Sequence, residues 1–359
     1  MVSKTTSGES SMQKIISQAL GTGQEPAMRL LFFENLAVIY SPAQILKRSE
    51  DLMSQYKPRR QFLKQSLVGT AVAGISGSSL LPANAASFQS SKKNPRFKIS
   101  LAGWSLHKAI YGNLVKLLDF PRIARQAFGI DAIEPVNTLF EVPTQDYVFR
   151  LKKNARDEEV KILLIMCDDE GALAHRENAV RMKAVQNHYK WVDIAAELGC
   201  HSIRVNMHGE EKGMAENPKA VQEFVSRSVD AFTTLAQYGA KSNINIIIEN
   251  HGGLSSNADV LARLMKSVNL SNFGTLPDFG NFDPGMDRYE GIRKLMPYAK
   301  GASGKSYDFD ANGNETTIDY DRMMKIVLGD SKFTGYVDIE YEGEQIGRAS
   351  CRERVYVLV

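Results

Sequence analysis

From residue 97 onwards, the sequence alternates short apolar segments with longer amphipathic segments, and this alternation restricts the fold more than any other feature. The apolar segments are candidate strands, in residues 97–106, 130–137, 160–169, 201–209, 244–250, 273–281, 300–309 and 335–343. The amphipathic segments are candidate helices, in residues 114–128, 145–158, 176–198, 218–240, 257–268, 287–298 and 320–329. Strands and helices that alternate in this way form parallel βαβ units, and eight strands are typical of a closed (β/α)8 TIM barrel.

The segment 218–240 shows why we interpret the longer segments as helices. Its apolar residues recur at helical spacing, and they are Val221, Phe224, Val225, Val229, Phe232 and Leu235. An open doubly wound sheet is the alternative fold, but it usually carries a glycine-rich phosphate loop after its first strand. The segment AGWSLHKAIYGN at 102–113 is not such a loop. The sequence therefore favours a closed barrel over residues 97–346.

The segments at the two ends of the chain do not continue the barrel pattern. The pattern stops near Ile346, so we expect a barrel that lacks its eighth helix because the C-terminus is truncated. We interpret residues 347–359 as an artefactual tail. Residues 1–52 contain an apolar stretch but no periodic pattern, and we interpret them as a leader that is either non-native or disordered.

Residues 53–85 have the pattern of a twin-arginine export signal. Two arginines at 59–60 precede a weakly apolar run, and an A-x-A cleavage pattern follows at 83–85. A membrane anchor is the alternative, but the apolar stretch 66–81 is short and rich in glycine and serine. The sequence therefore predicts export to the periplasm or the exterior, with no stable membrane span after cleavage.

The distribution of charge argues against a nucleic-acid partner. The whole chain has a formal net charge of +3, but its excess of lysine and arginine lies in the two end segments. The predicted barrel is mildly acidic, whereas a nucleic-acid groove needs basic residues to neutralise phosphates. We expect a small-molecule partner instead, and an oligomer is compatible with the sequence.

Nearly every predicted strand ends in polar residues. They are Glu134, Asp168, Asp169, Asn206, His208, Glu249, His251, Asp278, Asn281, Ser303, Lys305, Glu340 and Glu342. In a (β/α)8 barrel the carboxyl ends of the strands form one face, and the active site lies there. The sequence therefore predicts an active site built from the ends of several strands.

The last predicted strand points several acids towards the barrel axis. Asp338, Glu340 and Glu342 alternate with apolar residues, so they share one face of the strand. Carboxylates that face one small space either have raised pKa values or bind a cation. Oxygen ligands suit Mg²⁺ or Mn²⁺. The alternative without a metal is that Arg204 and Lys305 neutralise the acids.

Three of these acids carry a resemblance to a known family. Glu249 after three isoleucines, Asp278 in LPDFGN and Glu340 in YVDIEYEG resemble the xylose-isomerase-like barrels. This family includes sugar phosphate isomerases and epimerases, ketose 3-epimerases and inosose dehydratases. The resemblance covers residues 97–344 and implies a divalent metal, Mn²⁺ or Mg²⁺ rather than Zn²⁺, held by Glu, Asp, His and Glu from strands five to eight.

The sequence departs from this family pattern at two positions. Asn281 replaces the histidine of an Asp-x-x-His motif, and the histidine of the seventh strand is replaced by Ser303 or Lys305, depending on register. In one arrangement Ser303 is the fourth metal ligand and Lys305 lies nearer the rim. In the other, Lys305 takes the ligand position, its ammonium substitutes for part of the charge of the metal, and the affinity for a metal should be poor. We favour the first, because three inward acids carry more charge than one lysine neutralises.

The resemblance implies a secreted sugar isomerase or epimerase. Glu249 and Glu340 would move a proton next to a carbonyl, and a metal ion or Lys305 would stabilise the enediolate. The other predicted substrate-binding residues are Glu134, Asn206, His208, His251 and Asn281. The alternatives are a dehydratase or lyase acting on a keto-sugar or inositol derivative, and a sugar-binding barrel without catalysis. A metal-dependent endonuclease needs more histidine ligands and a basic groove.

Overall fold

The computed structural model describes residues 97–209, 213–310 and 313–344. The predictions of a leader, an export signal and a tail concern residues 1–52, 53–85 and 347–359, which lie outside the described residues. In the part that is described, no helix has both the length and the hydropathy needed to cross a membrane.

Every predicted strand segment contains a strand, although each strand is shorter than its segment. The strands are β1 (Lys98–Ala102), β2 (Ala132–Glu134), β3 (Lys161–Ile162 and Leu164–Met166, two segments separated at Leu163), β4 (Ser202–Val205), β5 (Asn245–Glu249), β6 (Phe273–Leu276), β7 (Ala302–Ser306) and β8 (Tyr336–Tyr341). Most of the polar residues at the predicted carboxyl ends therefore lie close to the last residue of a strand or in the loop after it, whereas Ser303 is the second residue of β7.

Helices connect consecutive strands, as the sequence predicts. They are α1 (His107–Tyr111), α2 (Phe120–Ala127), α3 (Gln145–Asp157), α4 (Asn178–Leu198), α5 (Pro218–Ala240), α6 (Ala258–Val268), α7 (Arg288–Leu295) and α8 (Tyr320–Met324). A π-helical turn, Lys325–Asp330, continues α8. The predicted absence of a helix after β8 concerns residues beyond Glu344, which are not described.

Parallel pairing joins the strands in chain order. One sheet contains β7, β8, β1, β2 and the first segment of β3, and the other contains the second segment of β3 with β4, β5 and β6. Isolated parallel bridges connect these sheets, between Val136 and Met166 and between Asp278 and Ser303. Pairs and bridges thus lead from each strand to the next and from β8 back to β1. This is the connectivity of a (β/α)8 barrel, and the predicted fold class is confirmed.

The main core lies between the strands and the surrounding helices. Ile246, Ile247 and Ile248 are fully buried, as a strand covered on both faces requires. The α5 helix packs its buried apolar stripe against this layer, and it begins at the predicted position. Asn217 caps it by accepting hydrogen bonds from two backbone N–H groups, and Pro218 fixes the backbone of its first residue.

The first strand ends four residues before the end of its predicted segment. After Ala102 the chain forms a 3-10 helix, Gly103–Leu106, and continues into α1. A Cβ atom at Gly103 would lie 3.3 Å from the backbone of Glu134, Pro135 and Val136, so glycine lets the chain cross closely over the end of β2. This crossing places the Trp104 side chain at the mouth of the barrel instead of in a strand.

Candidate active site

A cavity of about 640 Å³ opens at the carboxyl ends of the strands. Its wall contains residues from the ends of β3, β4, β5 and β8 and from the loop after β1, including Trp104, Asp168, Arg204, Asn206, His251 and Glu340. Small-molecule sites commonly have volumes of about 300–1,000 Å³. The cavity therefore has the position expected for the active site of a barrel and the size of a small-molecule site.

Three carboxylates from different strands meet beside this cavity. Glu249 ends β5, Asp278 follows β6 and Glu340 lies on β8, and all three are buried. One oxygen from each lies within 4.8 Å of the others, a separation at which the three acids could hold a metal ion. The sequence resemblance named these acids as a cluster, and the structure brings them together.

The side chain of Lys305 extends into this cluster. Its Nζ atom lies 2.7 Å from Glu340 Oε1, 3.5 Å from Asp278 Oδ2 and 3.2 Å from Glu342 Oε2. Only 1% of the lysine is exposed. The register explains this position, because Lys305 pairs directly with Glu340 across β7 and β8. The ammonium is therefore a fixed cation between the acids.

A second cation, Arg204, contacts the cluster and forms part of the cavity wall. Its Nε atom lies 2.9 Å from Glu249 Oε2, and its Nη1 atom donates a hydrogen bond of 2.6 Å to Asp168 Oδ1. Asn206 donates a second hydrogen bond to the same Asp168 oxygen, at 2.7 Å. His251 contacts the Asn206 Oδ1 atom through Nδ1 at 3.0 Å. These contacts fix the orientation of the polar groups on this side of the cavity.

Hydrogen bonds and ion pairs already engage both oxygens of Glu340 and of Glu249, whereas Asp278 Oδ2 accepts no hydrogen bond from the described residues and faces the Lys305 ammonium at 3.5 Å. Glu340 Oε2 accepts a hydrogen bond of 2.9 Å from Ser303, and its other oxygen contacts Lys305. Glu249 accepts a hydrogen bond of 3.0 Å from Asn281 and pairs with Arg204. The donor chemistry suits a divalent ion, but the ammonium fills the space between the carboxylates. The arrangement shown is the one with Lys305 in the cluster, not the favoured one with Ser303 as a ligand, and it does not fit a resident metal.

Burial and charge move the pKa values of these acids in opposite directions. Burial raises the pKa of Glu249 to about 7 against the opposing charge of Arg204, and it raises the pKa of Asp278 to about 7 against Lys305. Burial also disfavours the charged form of Glu340, but the charge and hydrogen bond of Lys305 outweigh it and lower the pKa of this acid. Neighbouring groups with separated pKa values are suited to distinct acid and base roles.

The predicted substrate-binding residues divide into two groups. Asn206, His208 and His251 line the cavity. Asn281 instead binds Glu249, and Lys305 is buried in the acid cluster. These two therefore contact the acids and do not form part of the cavity wall.

Glu134 lies too deep in the barrel for the substrate-binding role that the sequence predicts. It is 2% exposed, and its Oε1 atom accepts a hydrogen bond of 2.6 Å from Ser100. Its Oε2 atom has no hydrogen-bond partner among the described residues, and the same holds for Asp338 Oδ2 on β8. Burial raises the pKa of Glu134 to about 7 and that of Asp338 well above its usual range. Glu134 therefore belongs to a buried acidic layer beneath the cavity.

Sequence reasoning missed Trp104 as a site residue. Its ring stacks on His107 with centroids 4.2 Å apart, and its Nε1 atom donates a hydrogen bond of 3.0 Å to Glu342 Oε1. Lys108 also donates a hydrogen bond to the carbonyl of Gly343, at 2.8 Å. Aromatic rings commonly line small-molecule sites, but the predicted strand at 97–106 included Trp104, so no signal in the sequence indicated its place in the site.

Two asparagines hold two of the acids by the backbone. Asn137, after β2, accepts a hydrogen bond from Asp168 N and donates one to Asp168 O, both at 2.8 Å. Asn250, after β5, binds Asp278 N and O in the same way, at 2.8 and 2.9 Å. In each case the amide follows one strand and fixes the aspartate that follows the next. The side-chain amide thus extends the hydrogen-bond ladder beyond the end of the strands.

Comparison with known proteins supports this description of the fold. The sequence profile named "Xylose isomerase-like TIM barrel" matches residues 121–355. No curated protein sequence matches the chain significantly.

Solved structures with the same fold include three informative examples. They are 3-keto-D-glucoside 4-epimerase from E. coli (14% identity, 73% of this chain and 98% of that chain, TM-score 0.56), a D-tagatose 3-epimerase-like protein (18%, 73% and 96%, 0.58) and a xylose isomerase-like TIM barrel protein from Mycobacterium smegmatis in complex with magnesium (17%, 68% and 88%, 0.51). At these identities the similarity establishes the fold.

Proposed function

Because the chain belongs to the xylose isomerase-like TIM barrel family, we propose that it is a sugar isomerase or epimerase that moves a proton next to a carbonyl group. One observation carries the proposal: Glu340 lines the cavity, and an ammonium 2.7 Å from its Oε1 atom keeps it ionised. A carboxylate base beside fixed cations is the arrangement that enolisation needs. The sugar epimerases among the similar structures support this choice of substrate class.

In the proposed reaction, Glu340 removes the proton from a sugar carbon next to the carbonyl, the C–H electron pair forms the enediolate, and the protonated Glu340 returns a proton to give the product. Its lowered pKa keeps it in the basic form at neutral pH. Arg204 also lines the cavity, and its guanidinium would stabilise the negative charge that develops on the enediolate oxygens. Asn206 and His251 would hold hydroxyl groups. Burial lowers the pKa of His251, so the ring is neutral at the pH where the base works.

Glu249 has a different role from Glu340 in this proposal. It is 1% exposed, does not belong to the cavity wall and pairs with Arg204. We assign it the positioning of the Arg204 guanidinium, whereas the sequence had suggested an acid/base pair of two glutamates. Glu340 is then the catalytic carboxylate that reaches the substrate.

We also propose that the protein acts outside the cytoplasm. The arginine pair at 59–60 and the A-x-A pattern at 83–85 support export by the twin-arginine route. An exported enzyme of this kind would meet free sugars, so unphosphorylated ketoses and keto-glycosides are the substrates to test first.

Solvent-isotope exchange tests the proposed reaction. The purified protein is incubated in deuterated water with D-tagatose, D-fructose and 3-keto-glucosides, and deuterium at the carbon next to the carbonyl is measured by NMR. We expect exchange with the wild type and a rate lower by roughly 10²–10⁴ in Glu340→Gln, because a general base contributes about this much. Glu158→Gln, at the partly exposed residue that follows α3 and is not among the cavity-lining residues, is the control with unchanged exchange.

Two results would count against this function. Unchanged exchange in Glu340→Gln would remove this residue from the reaction. Binding of a sugar by the wild type without isotope exchange or product would support a sugar-binding barrel instead.

A further inference from the structure

We infer that the ammonium group of Lys305 takes the place of a divalent metal ion in the acid cluster, so that the site carries a built-in cation and binds no resident metal. The structural part of this inference stands on the geometry of the cluster alone. Its catalytic part, that the lysine supplies positive charge to the reaction, rests on the proposed function.

The contacts of the lysine are those of a cation bound by several acids. Its Nζ atom lies 2.7 Å from Glu340, the length of a charge-assisted hydrogen bond, and 3.2 Å from Glu342 and 3.5 Å from Asp278, which are ion-pair distances. A metal ion that bridged Asp278 and Glu340 would need the space that the ammonium fills. The two cations cannot share this position, because like charges at contact repel strongly in a buried site.

The protein provides a built place for the lysine stem. A Cβ atom at Gly280 would lie 2.8 Å from the Cγ atom of Lys305, so the Gly280 backbone packs directly against the aliphatic chain. The Tyr320 hydroxyl donates a hydrogen bond of 2.7 Å to the Lys305 carbonyl. With 1% exposure, the lysine is shielded from solvent. The lysine is therefore a buried member of the cluster.

The remaining acid of the cluster is neutralised separately. Glu249 Oε2 faces Arg204 Nε at 2.9 Å, and Glu249 Oε1 accepts a hydrogen bond from Asn281 at 3.0 Å. Asp278 Oδ1 accepts backbone hydrogen bonds of 2.7 Å from both Gly280 and Asn281. The amide of Asn281 binds Glu249 as a donor, whereas a metal ligand must offer a lone pair. Glu249 Oε2 and Asp278 Oδ2 accept no hydrogen bond from the described residues, so the cations Arg204 and Lys305 face these two oxygens as ion pairs.

Manganese binding by the full chain tests the inference without any substrate. Mn²⁺ is titrated into the wild type, Lys305→His and Lys294→His, and bound ion is measured by electron paramagnetic resonance. Lys305→His offers an imidazole beside Glu249, Asp278 and Glu340, a nitrogen and oxygen ligand set that suits Mn²⁺. We expect one bound ion in this variant and none in the wild type at the same concentrations. Lys294 is a partly exposed lysine on α7 that lies outside the acid cluster, so its variant controls for adding a histidine.

Binding of one Mn²⁺ by the wild type, with loss of that binding in Asp278→Asn, would overturn the inference. This result can be measured even if Lys305→His does not fold. The proposed function fails separately, by an absence of isotope exchange in a wild type that binds no metal. Isotope exchange that survives dialysis against a chelator supports both the proposed function and the inference about Lys305. Exchange that requires added Mn²⁺ supports the proposed function and refutes the inference that the lysine replaces the metal.

Discussion

Replacing Lys305 with methionine tests how much the buried cation stabilises the fold. The change keeps a similar volume but leaves Glu340 without the partner that lies 2.7 Å from it, and Asp278 and Glu342 lose the same charge. Removing one partner of a buried ion pair costs about 3–5 kcal/mol, because the other charge remains buried and unpaired. In a domain of this size each kcal/mol lowers the melting temperature by about 2–4 °C, so we expect a loss of about 6–20 °C.

The pH dependence of the unfolding free energy shows whether the loss of stability in Lys305→Met comes from the unpaired charge of Glu340. Lys305 lowers the pKa of Glu340 below its usual 4.5, so in the wild type the contribution of this acid is present above that value and is lost as the pH falls through the lowered pKa. Without the lysine, burial raises the pKa and favours the protonated acid. The variant should therefore lose much more stability at about pH 8 than at about pH 5, where it can take up a proton.

Denaturant unfolding at both pH values measures this difference. The double variant Lys305→Met with Glu340→Gln removes the unpaired charge and should regain a large part of the loss at the higher pH. Lys294→Met, which breaks an exposed pair with Asp259, should change the free energy of unfolding by less than about 1 kcal/mol. An equal loss for Lys305→Met at both pH values, or a loss as small as that of the control, would refute the reasoning.

Two further predictions concern the buried acid layer and the export signal. Burial raises the pKa of Glu134 to about 7, so the contribution of this acid to stability is lost as the pH rises from 4.5 towards 7. The unfolding free energy of Glu134→Gln should therefore rise by roughly 1–3 kcal/mol relative to that of the wild type across this window. A difference in unfolding free energy that stays constant with pH would contradict this. Changing Arg59 and Arg60 to lysine should abolish export. N-terminal sequencing of exported protein should then find a mature N-terminus near Ala86 for the wild type and no exported protein for the double variant. Export of the double variant at the wild-type level would exclude the twin-arginine route.

The sequence predicts the fold well because both periodicities are strong. The β5 segment joins three isoleucines to Glu249, and the α5 stripe recurs over 23 residues, so element type and order follow from pattern alone. Alternation on β8 also predicts correctly that Asp338 and Glu340 are buried on the inward side.

The alternation of polar and apolar residues along a strand does not show how deep in the barrel each inward-facing residue lies. Two residues along β8 separate an acid in the buried layer, Asp338, from one at the cavity wall, Glu340. The choice between Ser303 and Lys305 likewise depends on the register of β7 against β8, and a period of two cannot fix a register between strands. Trp104 was missed because its position follows from a crossing of the chain over β2, a long-range packing event.

The asparagines at 137 and 250 have a consequence for how such a barrel can change its specificity. Each holds the backbone of an aspartate that follows the neighbouring strand, so Asp168 and Asp278 do not depend on their own downstream loops for position. Insertions or deletions in those loops should reshape the entrance of the cavity while the acids keep their places. The molecule thus separates the part that a new substrate would have to alter from the part that the chemistry needs unchanged.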